Sequence, residues 1–224
     1  MAQRRRKAVP AGTILVTGFE PFGGEAVNPS WQAVSLLPAA IDGVRVERCL
    51  VPCEFRRAIE VVAEEIERCG PSIVLSVGQA GGRSHLSVER VAINVDDARI
   101  PDNAGAQPID VPVAPNGPGA HFATLPVKAM VAAMREAGVP AEVSNTAGTF
   151  VCNHLMYGVL HYLAATAPDV RAGFVHVPYA EAQVVGRPGT ASLALETMAR
   201  GLEAGLRAAL HHAKDIATAE GRLD

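Results

Sequence analysis

The chain has 224 residues, of which 49% are hydrophobic, and a formal net charge of −3 at pH 7. A chain of this length and composition can bury one sizeable core. Its charge excludes the global basic field that attracts nucleic acid or an anionic membrane, so we expect neither as a partner. We interpret residues 1–12 as a flexible basic tail and residues 13–224 as a single domain.

Cysteine usage indicates the compartment and argues against a metal site. Four cysteines in a chain of this size without an export signal predict free thiols in a reducing cytoplasm. Cys49 and Cys53 have C-x3-C spacing, with no second pair to complete a zinc site. His154 and His161 do not belong to an H-E-x-x-H motif. The sequence therefore predicts a cytoplasmic protein with no metal and no cofactor.

The first half of the chain alternates strand-like and helix-like segments. Residues 13–18 form a short apolar run that ends at glycine, a pattern typical of a buried strand in a parallel sheet. Asn28 followed by Pro29 predicts the N-cap and the first residue of a helix. Apolar spacing then predicts a strand, an amphipathic helix and another buried strand, at residues 44–51, 55–69 and 71–77.

The middle of the chain combines an alternating segment with a long loop. Residues 86–95 alternate in a way that predicts one half-buried strand, in which Glu89 shares a face with Val91 and Ile93. We therefore expect Glu89 to point towards the core. Residues 102–119 are rich in proline, glycine and asparagine, too long for a passive link, and expected to lie over a site.

The second half of the chain repeats the alternation. The patterns predict helices at residues 125–137 and 191–213, a long apolar helix after Ala147-Gly148, and strands at 141–144 and 172–179. Strands alternating with helices predict an α/β fold, a three-layer sandwich with a largely parallel (mixed) central sheet and helices on both faces. Ligands of such sheets bind at the carboxyl ends of the strands. Four candidate residues fall near strand ends: Phe19, Gln79, Cys152 and His176.

Cys152 stands where the long apolar helix begins. Unpaired backbone N–H groups and the positive end of the helix dipole favour a thiolate there, so we expect a lowered thiol pKa and a nucleophile. The same amides offer donors to an oxyanion. The alternative is that Cys152 is a small buried hydrophobic residue.

A cysteine nucleophile needs a group that moves its proton. His176, near the end of the last buried strand, is the best-placed candidate. A carboxylate that orients the imidazole and favours its cation would assist, and Glu89 could supply it. Taken singly, His176 could instead be a core histidine and Glu89 an exposed strand residue.

Six segments of the chain, in the same order, resemble the pyrrolidone-carboxylate peptidases, that is, the pyroglutamyl-peptidase I family. The most specific is Ser144-Asn145-Thr146-Ala147-Gly148-Thr149-Phe150-Val151-Cys152-Asn153. The others are Val16-Thr17-Gly18-Phe19-Glu20-Pro21-Phe22-Gly23-Gly24, Val77-Gly78-Gln79-Ala80-Gly81-Gly82-Arg83, Glu89-Arg90-Val91-Ala92-Ile93-Asn94, Asp97-Ala98-Arg99-Ile100-Pro101-Asp102-Asn103 and His176-Val177-Pro178-Tyr179.

The resemblance implies a cytoplasmic cysteine peptidase that removes an N-terminal pyroglutamyl residue from peptides without a cofactor. It places Glu89, Cys152 and His176 at the positions of the catalytic triad and Arg99 near the cysteine as an oxyanion or active-site support. It also implies substrate-binding residues around the lactam ring: Phe19, Phe22, Gln79 and Phe150.

The resemblance further implies a homo-oligomer, a dimer or a tetramer, in which the final helix and the proline-rich segment 110–119 could bury against a neighbour. One segment departs from the family pattern: Ala180-Glu181-Ala182-Gln183 stands where a Pro-Glu-Gln run is expected, which leaves the path of that loop open. Two other classes of function stay open. One is an α/β-sandwich transferase of the nucleoside phosphorylase type, and the other is a catalytically silent lactam- or amide-binding protein.

Overall fold

A computed structural model describes residues 12–221, and nearly all of the expected basic tail lies outside this range. Within it the α-helices are α1 (Pro29–Ser35), α2 (Arg57–Cys69), α3 (Val127–Glu136), α4 (Val151–Thr166) and α5 (Leu195–His211). The strands are β1 (Thr13–Phe19), β2 (Ala40–Ile41), β3 (Val44–Val51), β4 (Pro71–Gln79), β5 (Leu86–Glu89), β6 (Val91–Ile93), β7 (Ala120–Phe122), β8 (Ala141–Ser144), β9 (Arg171–Val177), β10 (Tyr179–Ala180) and β11 (Ser192–Leu193).

The central sheet has seven strands in the order β2-β3-β1-β4-β9-β5-β8. The block β3-β1-β4-β9 is parallel, whereas β5 runs antiparallel to β9 and β8 runs parallel to β5. The predicted mixed, largely parallel sheet is therefore confirmed. Because β8 runs against the parallel block, its carboxyl end does not lie beside those of β4 and β9. Cys152 itself nevertheless lies near the carboxyl end of β4, as expected, with its sulfur next to Gly78. The loop after β8 must carry the chain back to reach that edge.

Side chains that alternate along each strand fill two cores, one on each face of the sheet. Ile14 and Val16 of β1 join the core under α1, α3 and α5, whereas Leu15 joins the core under α2 and α4. Burying each such side chain contributes roughly 1.5–3 kcal/mol of hydrophobic stabilisation. The predicted three-layer sandwich is confirmed. No helix among residues 12–221 is both long and apolar enough to span a bilayer.

The predicted strand over residues 86–95 is interrupted at Arg90. β5 ends at Glu89 in the central sheet, and β6 pairs instead with β7 in a separate two-stranded sheet. Val91 is consequently half-buried and Ile93 is exposed, so the expectation that they draw Glu89 inwards is wrong. Glu89 is fully buried because β5 is sandwiched between β9 and β8 and this face lies under α4.

The start of α1 follows the sequence prediction, whereas α3 takes its cap from a distant segment. Asn28 accepts a hydrogen bond from the backbone N–H of Ser30, as the N-cap pattern predicts. Pro126, which precedes α3, provides no capping side chain. The Asp215 carboxylate instead accepts the N–H groups of Lys128 and Ala129 at 3.0–3.1 Å. Residues 213–221, which we term the C-terminal strap, therefore satisfy the exposed helix start.

We expect Asp215→Ala to lower the free energy of unfolding by about 1 kcal/mol, the usual cost of losing a helix cap. Urea titration of the full chain measures the effect. Lys214→Ala is the matched control, since Lys214 is an exposed strap residue with no hydrogen bond among the described residues. Equal midpoints for the two variants would contradict a capping role for Asp215.

Candidate active site

A cleft of about 540 Å³ opens where β4 and β9 end. Six of the residues that line it are Phe22, Gln79, Arg99, Phe150, Cys152 and His176. These residues come from separate parts of the chain, and the fold brings them to one edge of the sheet. The fold therefore gathers all but two of the predicted site residues around one cavity, the exceptions being Glu89 and Phe19.

A glycine on β4 lets the cysteine approach the sheet. A methyl group placed on Gly78 would lie only 2.8 Å from Cys152 Sγ and 2.7 Å from the Phe174 ring, so no larger residue fits there without a shift. Gly78 is the register partner of His176 on β9, and neighbouring strands lie about 4.8 Å apart. The thiol and the imidazole therefore share one small region of the cleft.

The backbone at the start of α4 leaves hydrogen-bond donors free beside the thiol. The first intrahelical bond runs from the N–H of His154 to the carbonyl of Phe150, and Phe150 supplies no capping side chain. The amides of Val151 and Cys152, in the first turn, therefore have no partner within the helix. Their N–H groups can stabilise an oxyanion formed by attack of the sulfur.

Glu89 binds two cationic or proton-donating groups through one oxygen. Its Oε1 lies 2.8 Å from His176 Nδ1 and 2.8 Å from Arg83 Nη1, and its side chain is fully buried. Because Nδ1 faces the carboxylate, Nε2 is the ring nitrogen left for the thiol. The geometry required of an imidazole held by a carboxylate is present.

The pKa of Glu89 is lowered by its partners, whereas the pKa of Cys152 is raised, contrary to expectation. Burial favours a neutral carboxyl, but the hydrogen bond and charge of His176, together with Arg83, hold the pKa of Glu89 below its ordinary value. Burial, reinforced by the Glu89 charge and opposed by Arg83, raises the pKa of Cys152 to about 12. The expected lowering of the Cys152 pKa is therefore wrong for the site without substrate, because burial disfavours the charged thiolate.

The predicted aromatic residues divide between the cleft and the core. Phe22 and Phe150 line the cleft with ring centroids 6.1 Å apart. Phe19 is only 2% exposed and packs against Phe174 at a centroid distance of 6.5 Å. The alternation of β1 directs Phe19 into the same core as Leu15, so it lies behind the cleft and not on its surface.

The loop that departs from the family pattern docks at the cleft through Gln183. The Gln183 side-chain amide donates to Gln79 Oε1 at 3.1 Å and to Glu25 at 3.4 Å. Arg99 lines the cleft with an exposed side chain and has no hydrogen-bond or ion-pair partner among residues 12–221. The path of the loop is thereby defined, and Arg99 presents a free positive charge to the cavity.

The sequence patterns indicate no particular role for Arg83 or Asn153. Arg83 follows the glycine-rich run after β4, and its guanidinium donates to Glu89 Oε1. Asn153 is fully buried and exchanges hydrogen bonds with the backbone of Ile93, which fixes α4 against β6. Both lie inside the motifs quoted above, but a motif does not reveal which contact a side chain makes.

The long loop at residues 102–119 covers a different cavity from the one that holds Cys152. This second cavity, of about 540 Å³, is lined by Phe55, Asp96 and His154 together with residues 106–115. Asp96 Oδ2 lies 2.8 Å from His154 Nδ1, and His154 Nε2 accepts the Arg56 N–H. The loop therefore lies over a cavity that is separate from the thiol, and the expectation that it covers a functional site stays a prediction.

A cysteine, a histidine and a buried carboxylate around a cleft of a three-layer α/β sandwich define the class of cysteine hydrolases. A family model described as pyroglutamyl peptidase matches residues 12–212. The chain belongs to this family. The C-terminal strap, at residues 213–221, lies beyond the matched region.

Individual relatives agree along nearly their whole length. The chain is 58% identical over 210 residues to the pyrrolidone-carboxylate peptidase of Escherichia fergusonii, covering 93% of this chain and 98% of the relative. It is 54% identical over 217 residues to that of Cupriavidus taiwanensis, covering 94% and 99%. The crystal structure of pyroglutamyl peptidase I from Bacillus amyloliquefaciens superposes with a TM-score of 0.91 at 43% identity, covering 94% of this chain and 100% of that chain.

Proposed function

We propose that this chain is a cysteine peptidase that removes an N-terminal pyroglutamyl (5-oxoprolyl) residue from peptides, with Cys152 as nucleophile, His176 as general base and acid, and Glu89 as its partner. The observation that carries the proposal is the 2.8 Å contact between His176 Nδ1 and Glu89 Oε1 beside a cysteine seated over Gly78. Relatives named for pyrrolidone-carboxylate peptidase activity support the substrate class.

The high thiol pKa determines how the reaction begins. With a pKa of about 12, Cys152 rests as a thiol, so His176 Nε2 takes its proton as the sulfur attacks the pyroglutamyl carbonyl. Amides at the start of α4, with Arg99 as support, stabilise the oxyanion. The imidazolium then gives its proton to the departing amine and leaves a thioester. Water, deprotonated by His176, hydrolyses the thioester and restores the thiol, so no cofactor takes part.

Residues of the cleft suit a flat, uncharged ring. Phe22 and Phe150 offer aromatic surface, and Gln79 offers an amide that can bind the ring carbonyl or the ring N–H. Phe19 does not line the cleft but packs against Phe174, whose ring lies 4.8 Å from that of His176 between centroids. A glutamyl substrate would bring an ammonium and a carboxylate into the same space, and burying such ions unpaired costs several kcal/mol each.

We expect pyroglutamyl amides to be cleaved with kcat/KM ~10⁴-fold or more above that for glutamyl, glutaminyl or prolyl amides. The competing substrates leave charges or polar groups unpaired in the cleft at a cost of several kcal/mol, and each ~1.4 kcal/mol corresponds to a tenfold rate difference. Matched chromogenic amides at equal concentration measure the ratios. The prolyl compound is the decisive control, since it fits the shape but lacks the ring carbonyl. Cleavage of the prolyl amide within tenfold of the pyroglutamyl amide would contradict the proposed lactam pocket.

The same assay separates the alternative classes. Loss of turnover after iodoacetamide treatment indicates a thiol enzyme, whereas a requirement for phosphate would indicate a transferase of the nucleoside phosphorylase type. Binding of a pyroglutamyl amide without turnover, unaffected by alkylation, would indicate a silent binding protein.

We propose a cytoplasmic location and a homo-oligomer, a dimer or a tetramer, built from a single domain at residues 13–224. Free thiols at all four cysteines support a reducing compartment. Exposed Ile109, Val111 and Phe122, in or near the proline-rich segment, support burial of that surface against a neighbour. The apolar face of α5 offers less support than expected, because Leu202 and Leu206 are already buried within the chain.

A further inference from the structure

Arg83 contacts both halves of the candidate site without lining its cavity. Its Nη1 donates to Glu89 Oε1 at 2.8 Å, on the same oxygen that faces His176. Its Nη2 donates to the carbonyl of Thr146 at 3.4 Å, in the loop that leads from β8 to Cys152. One guanidinium therefore joins the carboxylate that holds the histidine to the segment that positions the cysteine.

The surroundings of Glu89 make this contact unusual. Glu89 is fully buried, and its second oxygen, Oε2, has no hydrogen-bond partner among the described residues. His176 and Arg83 both face Oε1, and a hydrogen bond from the Ser144 side chain also lowers the pKa of Glu89, but among these three groups Arg83 alone carries a permanent positive charge. The Arg83 side chain is 26% exposed, so a partly solvated cation pairs with a fully buried anion.

The local backbone explains how the chain delivers Arg83 to this position. β4 ends at Gln79, and the turn that follows is closed by a bond from the Arg83 N–H to the Ala80 carbonyl. Gly82 adopts a φ of +89°, which favours glycine, and a side chain on Gly81 would overlap the Tyr179 ring. The glycine-rich run therefore serves to place Arg83, in addition to leaving room for substrate.

We propose that Arg83 is a positioning residue that fixes the Glu89 carboxylate against His176 and balances its charge, so that Glu89 does not oppose ionisation of the Cys152 thiol during the reaction. The inference rests on the proposed function and deepens it. With Arg83 present, the buried Glu89 carboxylate is paired with a positive charge at 2.8 Å. Without it, the negative charge of the buried carboxylate is not balanced by Arg83 and opposes the Cys152 thiolate.

The expected effect of Arg83→Gln is a change in pH dependence. The acid limb of kcat/KM should move to higher pH by about one unit or more, since removal of a charge 4–6 Å away has effects of this size. On the acid side of the limb a shift of one unit lowers kcat/KM up to about tenfold, while KM changes less than about twofold because Arg83 does not line the cleft. Arg83→Lys, which keeps the charge, should restore the limb to within about 0.3 unit.

The pH dependence of Cys152 alkylation by iodoacetamide gives a readout that does not require turnover. In Arg83→Gln the rise of the alkylation rate should move to higher pH, because Arg83 acts to lower the pKa of Cys152. The control is Arg68→Gln, an arginine on α2 paired at 2.6 Å with Glu65 and remote from the cleft. An unchanged alkylation profile in Arg83→Gln, or an equal loss of activity at every pH, would overturn the proposal.

Failure of the wild-type protein to cleave pyroglutamyl amides would refute the proposed function and leave the alkylation result interpretable.

A double-mutant comparison covers the case in which Arg83→Gln does not fold. Arg83→Gln combined with Glu89→Gln leaves no unpaired buried charge, and its thermal melt can be compared with that of Glu89→Gln alone. If Arg83 acts through Glu89, adding Arg83→Gln to Glu89→Gln changes kcat less than about twofold. A further fall of about tenfold or more would overturn the proposed route.

Discussion

Cys152→Ser is expected to lower kcat/KM by about 10⁴- to 10⁶-fold while leaving the fold intact, as losses of a nucleophile do in triad enzymes. A serine hydroxyl is far less acidic than a thiol and a weaker nucleophile, and it occupies nearly the same volume. The small space above Gly78 therefore still accommodates it. Hydrolysis of a pyroglutamyl amide and the melting temperature measure the two parts of the prediction.

The other cysteines supply the control for this prediction. Neither Cys49 nor Cys69 lines the cleft. Cys69 lies at the end of α2, and burial raises the pKa of Cys49 to about 11. Cys49→Ser and Cys69→Ser are each expected to retain activity within about twofold, as substitutions away from functional features do. Near-normal activity of Cys152→Ser, or a large loss in Cys49→Ser, would show that the nucleophile assignment is wrong.

His176→Ala is expected to be nearly as damaging as loss of the cysteine, whereas Glu89→Gln is expected to be milder, at about 10⁴-fold against roughly 10⁶-fold. Alanine removes the imidazole that we propose moves the thiol proton. Glutamine can still accept a hydrogen bond from His176 Nδ1, which lies 2.8 Å from the present carboxylate, but it cannot stabilise the imidazolium. Steady-state kinetics on both variants give the order of effects.

Stability must be compared in the same experiment, because Glu89 is fully buried and paired with Arg83. Removing the carboxylate leaves Arg83 with an uncompensated charge, which costs stability as well as activity. A thermal melt of each variant separates the two contributions. A loss in Glu89→Gln that exceeds the loss in His176→Ala, in variants that melt alike, would point to a different base.

The architecture was accessible from the sequence because it depends on patterns that repeat locally. Short apolar runs ending at glycine predicted β1 and β4, and the Asn28-Pro29 pair predicted the start of α1. These signals arise from periodicity and capping, which act within a few residues. The family resemblance likewise depended on short contiguous motifs, and the match over residues 12–212 confirms it.

The sequence predictions were wrong where contacts with distant residues override the local pattern. The alternation over residues 86–95 predicts one strand, yet Glu89 pairs in the central sheet while Val91 pairs with Phe122 of β7. The helix terminus at Cys152 predicts a lowered pKa, yet the thiol lies among groups that remove its water. Neither the partner of a strand nor the hydration of a side chain can be obtained from neighbouring residues.

The sequence by itself determined the family, the α/β class and the residue types for thiol chemistry, since each depends on which residues are present and in what order. Only the tertiary structure decided that Arg83 and His176 meet on one oxygen of Glu89, that Phe19 lies behind the cleft, and that Asp215 caps α3. Except for Arg83 and Glu89, which are six residues apart, those contacts join residues distant in the chain. Their formation depends on strand register and on which groups become buried together, and both are fixed only when the whole sheet has assembled.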